Sequence, residues 1–138
     1  MANIVYISTD GGSRGNPGEA AYGFVVKDSD KRILAEVGKR LGIKTNNYAE
    51  YMAVVSSLRW VKENINPAPT EIHFSLDSQL IERQMKGIYK IKDETLRSLY
   101  FTVQSLITEL GSQVTFTHVM RVFNKEADAM VNQALDKE

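Results

Sequence analysis

The sequence predicts an α/β fold in which helices cover both faces of a mixed, five-stranded sheet. β-branched, apolar runs alternate with segments of helical periodicity in the order βββαβααβα. The second and third strands are separated by the short polar segment 28–31, which is typical of an antiparallel hairpin at a sheet edge. A long helical connection precedes the fourth strand, and such a crossover favours parallel pairing with the first strand.

The strands are predicted from β-branched and apolar runs. Residues 3–9 (NIVYIST) suit a central strand buried on both faces, and the turn-rich segment DGGSRGNPG is expected to end it. Residues 20–27 and 32–38 form the predicted hairpin, and residues 71–76 (EIHFSL) alternate like a half-buried strand. Residues 113–119 (QVTFTHV) supply the last strand.

The helices are predicted from apolar residues at helical spacing and from their end signals. Residues 47–63 follow N-cap residue types, and Glu50 stands where a capping box places its acid. Residues 78–85 form a short helix, and residues 93–110 form a longer one that begins at a capping aspartate and stops before a glycine. Residues 124–135 form the last helix.

The composition predicts one globular domain over residues 1–138. Hydrophobic residues make up 43% and charged residues 25%, which excludes a disordered or collagen-like chain. The absence of cysteine excludes disulfides and thiolate metal sites, and two histidines are too few for a zinc cluster. The chain starts without signal-peptide features and has no apolar run long enough to span a bilayer. We therefore expect a cytoplasmic monomer that does not associate with a membrane and has no obligate protein partner.

The charges balance, with 17 basic and 17 acidic residues. Any contact with a nucleic acid must therefore come from local patches rather than from the overall field. The densest patch is the acid-free segment 83–92 (RQMKGIYKIK), and a smaller one contains Lys39, Arg40 and Lys44. Each patch alone is more typical of a solvated face than of a binding site.

Four carboxylates are expected to converge at one end of the sheet. Asp10 falls just past the first strand and Asp77 just past the fourth, and parallel neighbours end at the same edge. Glu50 and Asp128 lie in the first turns of helices that start toward that edge. Crowded acids repel each other, so the cluster indicates a cation, and oxygen ligands favour Mg²⁺ or Mn²⁺. Taken singly, each acid is also explained as a turn residue, a cap or a partner of a helix dipole.

The segments around these acids resemble ribonuclease H of type 1. The motifs TDGGSRGNPG, TNNYAE, SLDSQL and NKEADAMVNQAL follow the family's order along the whole chain. The resemblance implies the ribonuclease H-like fold and identifies Asp10, Glu50, Asp77 and Asp128 as catalytic residues that bind metal. The implied reaction uses two divalent ions to hydrolyse the RNA strand of an RNA–DNA hybrid, and it leaves a 5′-phosphate and a 3′-hydroxyl.

The resemblance also implies contacts with the hybrid, whose shape must be recognised because its deep groove hides the sequence. Gly11 and Gly12 suit close approach of backbone donors to a 2′-hydroxyl, although a tight turn needs the same residues. Thr45 matches a position that holds a phosphate of the DNA strand. The residues that match minor-groove contacts, and that equally suit capping, are Asn16, Asn46, Asn47 and Gln79.

The sequence lacks the basic protrusion that better-known bacterial members insert after the third acid, and it therefore resembles the short subgroup. Tyr89, Lys90 and Lys92 are candidates for some of the contacts with the hybrid's backbone that the protrusion would otherwise make. The alternative is that Tyr89 anchors the loop to the core and that the lysines are solvated.

The chain also departs from the family ahead of the last acid. His118 has the spacing of the family's catalytic histidine, but it lies in a strand segment with no glycine after it. Arg121 is a rival for assisting product release. Asn124, one helical turn before Asp128, either orients that acid or caps the helix.

Two other classes of protein remain open on the sequence alone. An integrase-like or resolvase-like enzyme would share an acid-lined sheet, but the TNN and DSQ motifs argue against it. An inactive hybrid-binding module would be expected to have lost an acid, and all four acids are present.

Overall fold

A computed structural model describes residues 3–137, and its elements follow the predicted order. The strands are β1 (Ile4–Gly15), β2 (Gly18–Asp28), β3 (Ile33–Lys44), β4 (Glu71–Leu76) and β5 (Gln113–His118). The helices are α1 (Asn46–Asn64), α2 (Gln79–Met85), α3 (Glu94–Leu110) and α4 (Lys125–Asp136). A 3-10 turn at Arg121–Phe123, which the sequence did not predict, precedes α4.

The five strands form one mixed sheet in the order β3-β2-β1-β4-β5. β2 pairs antiparallel with both β1 and β3, whereas β4 pairs parallel with both β1 and β5. The predicted architecture, a parallel centre with an antiparallel hairpin at one edge, is confirmed. The parallel ladder between β1 and β4 ends where Thr9 lies opposite Leu76.

Helices α1 and α4 lie on opposite faces of the sheet, as predicted. The face toward α1 carries the main core, in which Phe24 is buried. On the other face the contact layer is thin: Ala21 packs against Val131, and a Cβ at Gly23 would lie 2.7 Å from the carbonyl oxygen of Ala127. Small residues on β2 thus allow α4 to lie directly on the strands.

Strand β1 is longer than predicted. The sequence predicts that the turn-rich segment ends the strand at Thr9, but β1 continues to Gly15 because β2 pairs with it from Val5 to Gly15. Asp10 therefore lies inside β1, and it is the shorter β4 that ends beside it. The tight-turn explanation of Gly11 and Gly12 is wrong, because both residues lie within the strand.

Side-chain caps fix three of the helix starts. The Thr45 hydroxyl accepts a hydrogen bond from the amide of Tyr48 at 3.1 Å, so Thr45 is the N-cap of α1. Ser78 and Asp93 cap α2 and α3 in the same way. The capping-box explanation of Glu50 is wrong, because its carboxylate bonds to β1 instead. Within residues 3–137, no helix combines the length and the apolar character needed to cross a bilayer.

Candidate active site

Three carboxylates meet beyond the end of the β1–β4 ladder. Asp10 comes from β1, Glu50 from the first turns of α1, and Asp77 follows β4 directly. One carboxylate oxygen of each residue lies within 4.8 Å of those of the other two. Asp10 and Glu50 are only 8% and 7% exposed, and Asp77 is half-buried. Three acids that are up to 67 residues apart in sequence are thus brought together by the parallel pair β1–β4 and by helix α1, which packs on it.

Asp128 faces this group from α4. It lines the same cleft, of about 420 Å³, as Asp10, Glu50 and Asp77, although it lies outside the tight three-carboxylate group. Its charge nevertheless raises the pKa of Asp10, so the two carboxylates are electrostatically coupled. The side-chain amide of Asn132 donates to Oδ2 of Asp128 at 3.3 Å.

Burial and mutual repulsion raise the pKa of two of these acids. Burial is the main cause for Asp10, whose pKa rises from 3.8 to about 7, and the charges of Asp77 and Asp128 add to the effect. Burial likewise raises the pKa of Glu50 well above its usual range, and the charge of Asp10 is the next cause. The metal-free site therefore holds protons near neutral pH that a bound cation would displace.

The donor set fits a divalent cation. Glu50 uses Oε1 to accept a hydrogen bond from the amide of Gly11 at 3.1 Å. Its other oxygen, Oε2, is buried and receives no hydrogen bond within residues 3–137. The Glu50 carboxyl can bond to the neighbouring Asp10 only while one of the two acids is protonated, so the ionised pair lacks this contact. Burying an unpaired carboxylate oxygen is costly unless a cation or a ligand satisfies it. Because the group offers only carboxylate oxygens, it suits a hard ion such as Mg²⁺ or Mn²⁺.

Six of the seven residues with implied hybrid contacts line two adjoining concavities. A hollow beside the cleft is lined by Asn16 and Thr45, and Asn47 lines both the cleft and the hollow. Gln79 is exposed in the first turn of α2, next to Ser78, which lines the cleft. The other members that line the cleft are Gly11, Gly12 and Asn46.

Asparagine side chains hold the rim between the cleft and the hollow. Oδ1 of Asn46 accepts from the amide of Ser13 at 2.7 Å, and Oδ1 of Asn16 accepts from the amide of Asn46 at 3.0 Å. These bonds join the end of β1 to the start of α1. The asparagine oxygens therefore have a structural role, and within residues 3–137 neither side-chain NH₂ group has a hydrogen-bond partner.

Of the three candidates ahead of the last acid, Arg121 alone lines the cleft. Arg121 lies in the 3-10 turn and lines the cleft together with the acids. His118 ends β5 opposite Leu76, and its exposed side chain is not part of that lining. Asn124 is buried, and its side-chain amide bonds to β1 and to Asp77 rather than to Asp128 or the end of α4.

The basic segment is less free of acids than the sequence indicated. Lys86 pairs with Glu82 at 2.6 Å, and Arg83 lies 4.0 Å from the same carboxylate. Glu82 stands just before the segment and is buried, so it neutralises the half of the segment that lies on α2. Arg83 also lies over the ring of Tyr89, 5.5 Å from its centroid.

The remaining half of the segment forms a basic and aromatic hollow between α2 and α3. Tyr89, Lys90 and Lys92 line it together with Arg97 and Phe101. Arg97 fixes the loop, because its guanidinium donates to the carbonyls of Ile91 and Lys92, both at 3.2 Å. Within residues 3–137, neither Lys90 nor Lys92 forms an ion pair.

Sequence reasoning missed several residues of the cleft and one residue of the basic and aromatic hollow. Asn132 follows Asp128 by one helical turn, and this i, i+4 spacing is a signal that could have identified it. Ser13 and Arg14 were assigned to a turn, which hid their place on a strand beside Asp10. Arg97 carried no local signal, because its contacts depend on how the loop before α3 folds back.

Comparisons with known proteins agree with this geometry. The sequence profile of a family described as "Reverse transcriptase-like" matches residues 8–134. The chain is 39% identical over 132 residues to the ribonuclease HI of Halobacterium salinarum, covering 96% of this chain and 64% of that relative. The chain thus spans somewhat less than two thirds of the length of this curated relative.

Solved structures give the same result over nearly their full length. The crystal structure of RNase H1 from Halobacterium salinarum superposes with a TM-score of 0.88 at 40% identity, covering 96% of this chain and 98% of that one. LC11-RNase H1, solved in complex with an RNA/DNA hybrid, superposes with a TM-score of 0.91 at 37% identity, covering 96% of each chain. With its matching fold and acid-lined cleft, the chain belongs to the type 1 ribonuclease H family.

Proposed function

We propose that the protein is an endonuclease that hydrolyses the RNA strand of RNA–DNA hybrids and leaves 5′-phosphate and 3′-hydroxyl ends. The observation that carries the proposal is the buried carboxylate group of Asp10, Glu50 and Asp77 at the floor of an open cleft. The relative LC11-RNase H1, whose fold matches this chain, was solved with an RNA/DNA hybrid bound. Residues 1–138 would act as one catalytic domain.

The four acids would hold two divalent ions, Mg²⁺ or Mn²⁺, when substrate is bound. Such ions stabilise the charge that develops on the attacking and leaving oxygens of a phosphodiester. The chain contributes ligands that are fixed before substrate arrives: the Gly11 amide holds one oxygen of Glu50 and leaves the other unpaired. Asp128, which is less buried and comes from a different layer, would complete the ligand set.

The hybrid would lie across the cleft and the neighbouring hollow. Gly12 exposes strand backbone in the cleft, where no side chain keeps a ribose at a distance. Gly11 also lines the cleft, but its missing side chain makes room for α1 and its amide already donates to Glu50. The unpartnered NH₂ groups of Asn16 and Asn46 supply donors for the minor groove. Thr45 lines the hollow, where a phosphate of the DNA strand would lie. Asn47 and Gln79 would extend this polar contact along either side of the cleft.

The basic and aromatic hollow would hold the backbone of the hybrid farther from the reacting phosphate. Asn47 joins the cleft to the hollow that contains Asp93, and Asp93 follows Lys92 directly in the chain. The hollow that contains Asp93 and the basic and aromatic hollow share no lining residue, but the step from Asp93 to Lys92 places them side by side. Two unpaired lysines and an exposed tyrosine suit contacts with phosphate and sugar.

Arg121 would assist turnover in place of a histidine. It is the cation that the 3-10 turn places in a cleft lined by four acids, so it can pair with the new phosphate end as product leaves. All of these groups come from one chain, which supports activity as a monomer without an obligate protein partner. We place the protein in the cytoplasm, where a cysteine-free chain needs no disulfide.

Cleavage assays with labelled duplexes test the proposal. The protein is incubated with Mg²⁺ or Mn²⁺ and with RNA–DNA, RNA–RNA and DNA–DNA duplexes of one sequence, each labelled on one strand at a time. We expect cuts within the RNA strand of the hybrid, with 5′-phosphate ends, and no cuts in Asp77→Asn protein. Cleavage of DNA–DNA would favour an integrase-like or resolvase-like enzyme. Binding of the hybrid without cleavage would favour an inactive hybrid-binding module.

A further inference from the structure

The side chain of Asn124 is buried where β1, β4 and α4 meet. Only 1% of the residue is exposed. Its Nδ2 donates to the carbonyl of Thr9 at 2.9 Å and to Oδ2 of Asp77 at 3.3 Å. Thr9 is the last residue of β1 that pairs with β4, so the side-chain amide of Asn124 bonds to the first β1 carbonyl at the end of the parallel ladder. One side chain therefore joins the end of that ladder to the acid that follows it.

The contacts of Asn124 are not those of an ordinary helix cap. Asn124 occupies the N-cap position of α4, but its side chain makes no capping hydrogen bond. The first turn is closed by the backbone instead, because the amide of Asp128 donates to the carbonyl of Asn124 at 3.1 Å. Oδ1 of Asn124, the atom that would cap the helix, is buried without a partner within residues 3–137. The amide of this side chain is directed toward Thr9 and Asp77.

We propose that Asn124 is a positioning residue that holds the Asp77 carboxylate in the orientation that binds metal. The proposal rests on the proposed function, in which Asp77 is a ligand. A neutral donor fixes one carboxylate oxygen without cancelling its charge, whereas a lysine or an arginine at this place would compete with the cation. The bond to Oδ2 leaves the other oxygen of Asp77 without a protein donor within residues 3–137.

The same residue also links Asp77 to the elements that enter the cleft from the other side. The backbone amide of Asn124 donates to the carbonyl of Arg121 at 2.9 Å, and this bond closes the 3-10 turn. The carbonyl of Asn124 starts the helix that carries Asp128. A single buried residue therefore sets the relative places of Arg121, Asp77 and Asp128.

The experiment measures Mn²⁺ binding by wild-type and Asn124→Ala protein, without substrate, by isothermal titration calorimetry. The Mn²⁺ dependence of hybrid cleavage is measured beside it. Loss of a partner that orients a metal ligand commonly lowers metal affinity about tenfold or more. We expect a rise of that size in the half-saturating Mn²⁺ concentration in both measurements. We also expect kcat at saturating Mn²⁺ to stay within about threefold of wild type, and KM for the hybrid to be unchanged.

A matched control removes a buried hydrogen bond far from the acids. The Ser112 hydroxyl donates to the carbonyl of Pro69, and this bond joins the start of β5 to the segment before β4 at the opposite end of the sheet. Ser112→Ala should lower the free energy of unfolding and leave Mn²⁺ binding unchanged. If Asn124→Ala does not fold, Asn124→Leu replaces it, because leucine has a similar volume and lacks the donor.

The outcomes separate the two proposals. A wild-type protein that binds Mn²⁺ and cuts hybrids, beside an Asn124 variant with unchanged Mn²⁺ affinity, overturns the positioning role and leaves the proposed function intact. Equal loss of Mn²⁺ affinity in Ser112→Ala assigns the effect to general destabilisation and also overturns the positioning role. A wild-type protein that neither binds Mn²⁺ nor cuts hybrids overturns both proposals.

Discussion

The backbone amide of Gly11 donates to the carboxylate of Glu50 at 3.1 Å, so the strand that carries one acid also holds the second. This contact requires glycine. A Cβ at Gly11 would lie 2.3 Å from the backbone carbon of Ala49 and from the backbone nitrogen of Glu50. The distance between β1 and the first turns of α1 is therefore set by the absence of a side chain.

Gly11→Ala should force α1 away from β1 and separate Glu50 from Asp10. We expect a loss of about 1–3 kcal/mol in the free energy of unfolding, and a large loss of hybrid cleavage. Urea denaturation measures the first effect and a cleavage assay the second. Gly12→Ala is the control for stability, because the nearest atom to its added Cβ would be Oδ1 of Asn46 at 3.9 Å. Equal destabilisation by both substitutions would contradict the close-contact argument.

Asp10→Asn should abolish cleavage and leave the metal-free protein as stable as wild type or more stable, because it removes a buried, repelled charge. Added Mg²⁺ should raise the melting temperature of wild type, and the variant should lose most of that rise. Differential scanning calorimetry with and without Mg²⁺ measures both effects. Asp30→Asn, at an exposed hairpin residue, should keep both activity and the Mg²⁺ effect. Wild-type cleavage by Asp10→Asn would show that the metal assignment is wrong.

The stability of the metal-free protein should fall as the pH rises. The pKa of Asp10 is raised from 3.8 to about 7 in the folded state, and that of Glu50 is also raised, so the folded protein binds more protons than the unfolded chain over this range. The stabilising contribution of Asp10 is complete below pH 3.8 and is lost as the pH rises through about 7, and Glu50 contributes in the same direction. Urea denaturation in EDTA across this range measures the slope. Asp10→Asn should flatten it, and an equal slope in that variant would assign the pH dependence to other groups.

Replacing Lys90 and Lys92 by alanine should weaken affinity for the hybrid and leave kcat at saturating substrate nearly unchanged. Each lost phosphate contact lowers the slope of log affinity against log salt by about 0.9 on B-form DNA, so the double variant should flatten it by about one to two units. Fluorescence anisotropy at several salt concentrations measures the slope. A Lys31→Ala, Lys62→Ala double variant removes the same charge elsewhere, because Lys31 lies in the β2–β3 turn and Lys62 pairs with Glu109. Identical slopes in the two double variants would show that Lys90 and Lys92 are solvated and do not contact the hybrid.

Arg121→Ala should lower steady-state turnover more than it lowers the rate of a single turnover, because its expected role is in product release. His118→Ala should change either rate by less than about twofold, since His118 lies outside the cleft. Comparing multiple-turnover with single-turnover cleavage separates release from chemistry. A larger effect of His118→Ala on either rate would reverse the assignment of these two residues.

The order of the elements could be predicted because burial leaves a periodic pattern in the sequence. The strand 71–76 matches its predicted bounds, since its side chains alternate between core and half-buried positions. The end of β1 could not be predicted from local residue preferences. Glycine and serine at 11–15 indicate a turn, but pairing with the extended strand β2 and the close approach of α1 to Gly11 keep these residues in the strand, and the turn comes at 16–17.

The acids of the candidate site could be located because three of them lie near the ends of regular elements, Glu50 and Asp128 in the first turns of helices and Asp77 directly after β4. Asp10 lies inside β1, but the predicted strand end fell close to the point where the ladder with β4 stops. The partners of these acids could not be located, because each depends on contacts between distant residues. Asn124 and Asp77 are separated by 47 positions, and no local pattern indicates their hydrogen bond. The pairing of Lys86 with Glu82 was missed for another reason, because the burial of Glu82 is a property of the packed helix.

The thin contact layer between α4 and the sheet means that the four acids come from parts of the fold that differ in stability. Asp10, Glu50 and Asp77 belong to strands and a helix that share the main core, whereas Asp128 depends on a helix held by small residues and by peripheral ion pairs such as Arg14 with Asp136. Partial detachment of α4 would move Asp128 away from the other three acids while the sheet stays folded. On heating, cleavage activity should therefore be lost at a lower temperature than the one at which the sheet unfolds.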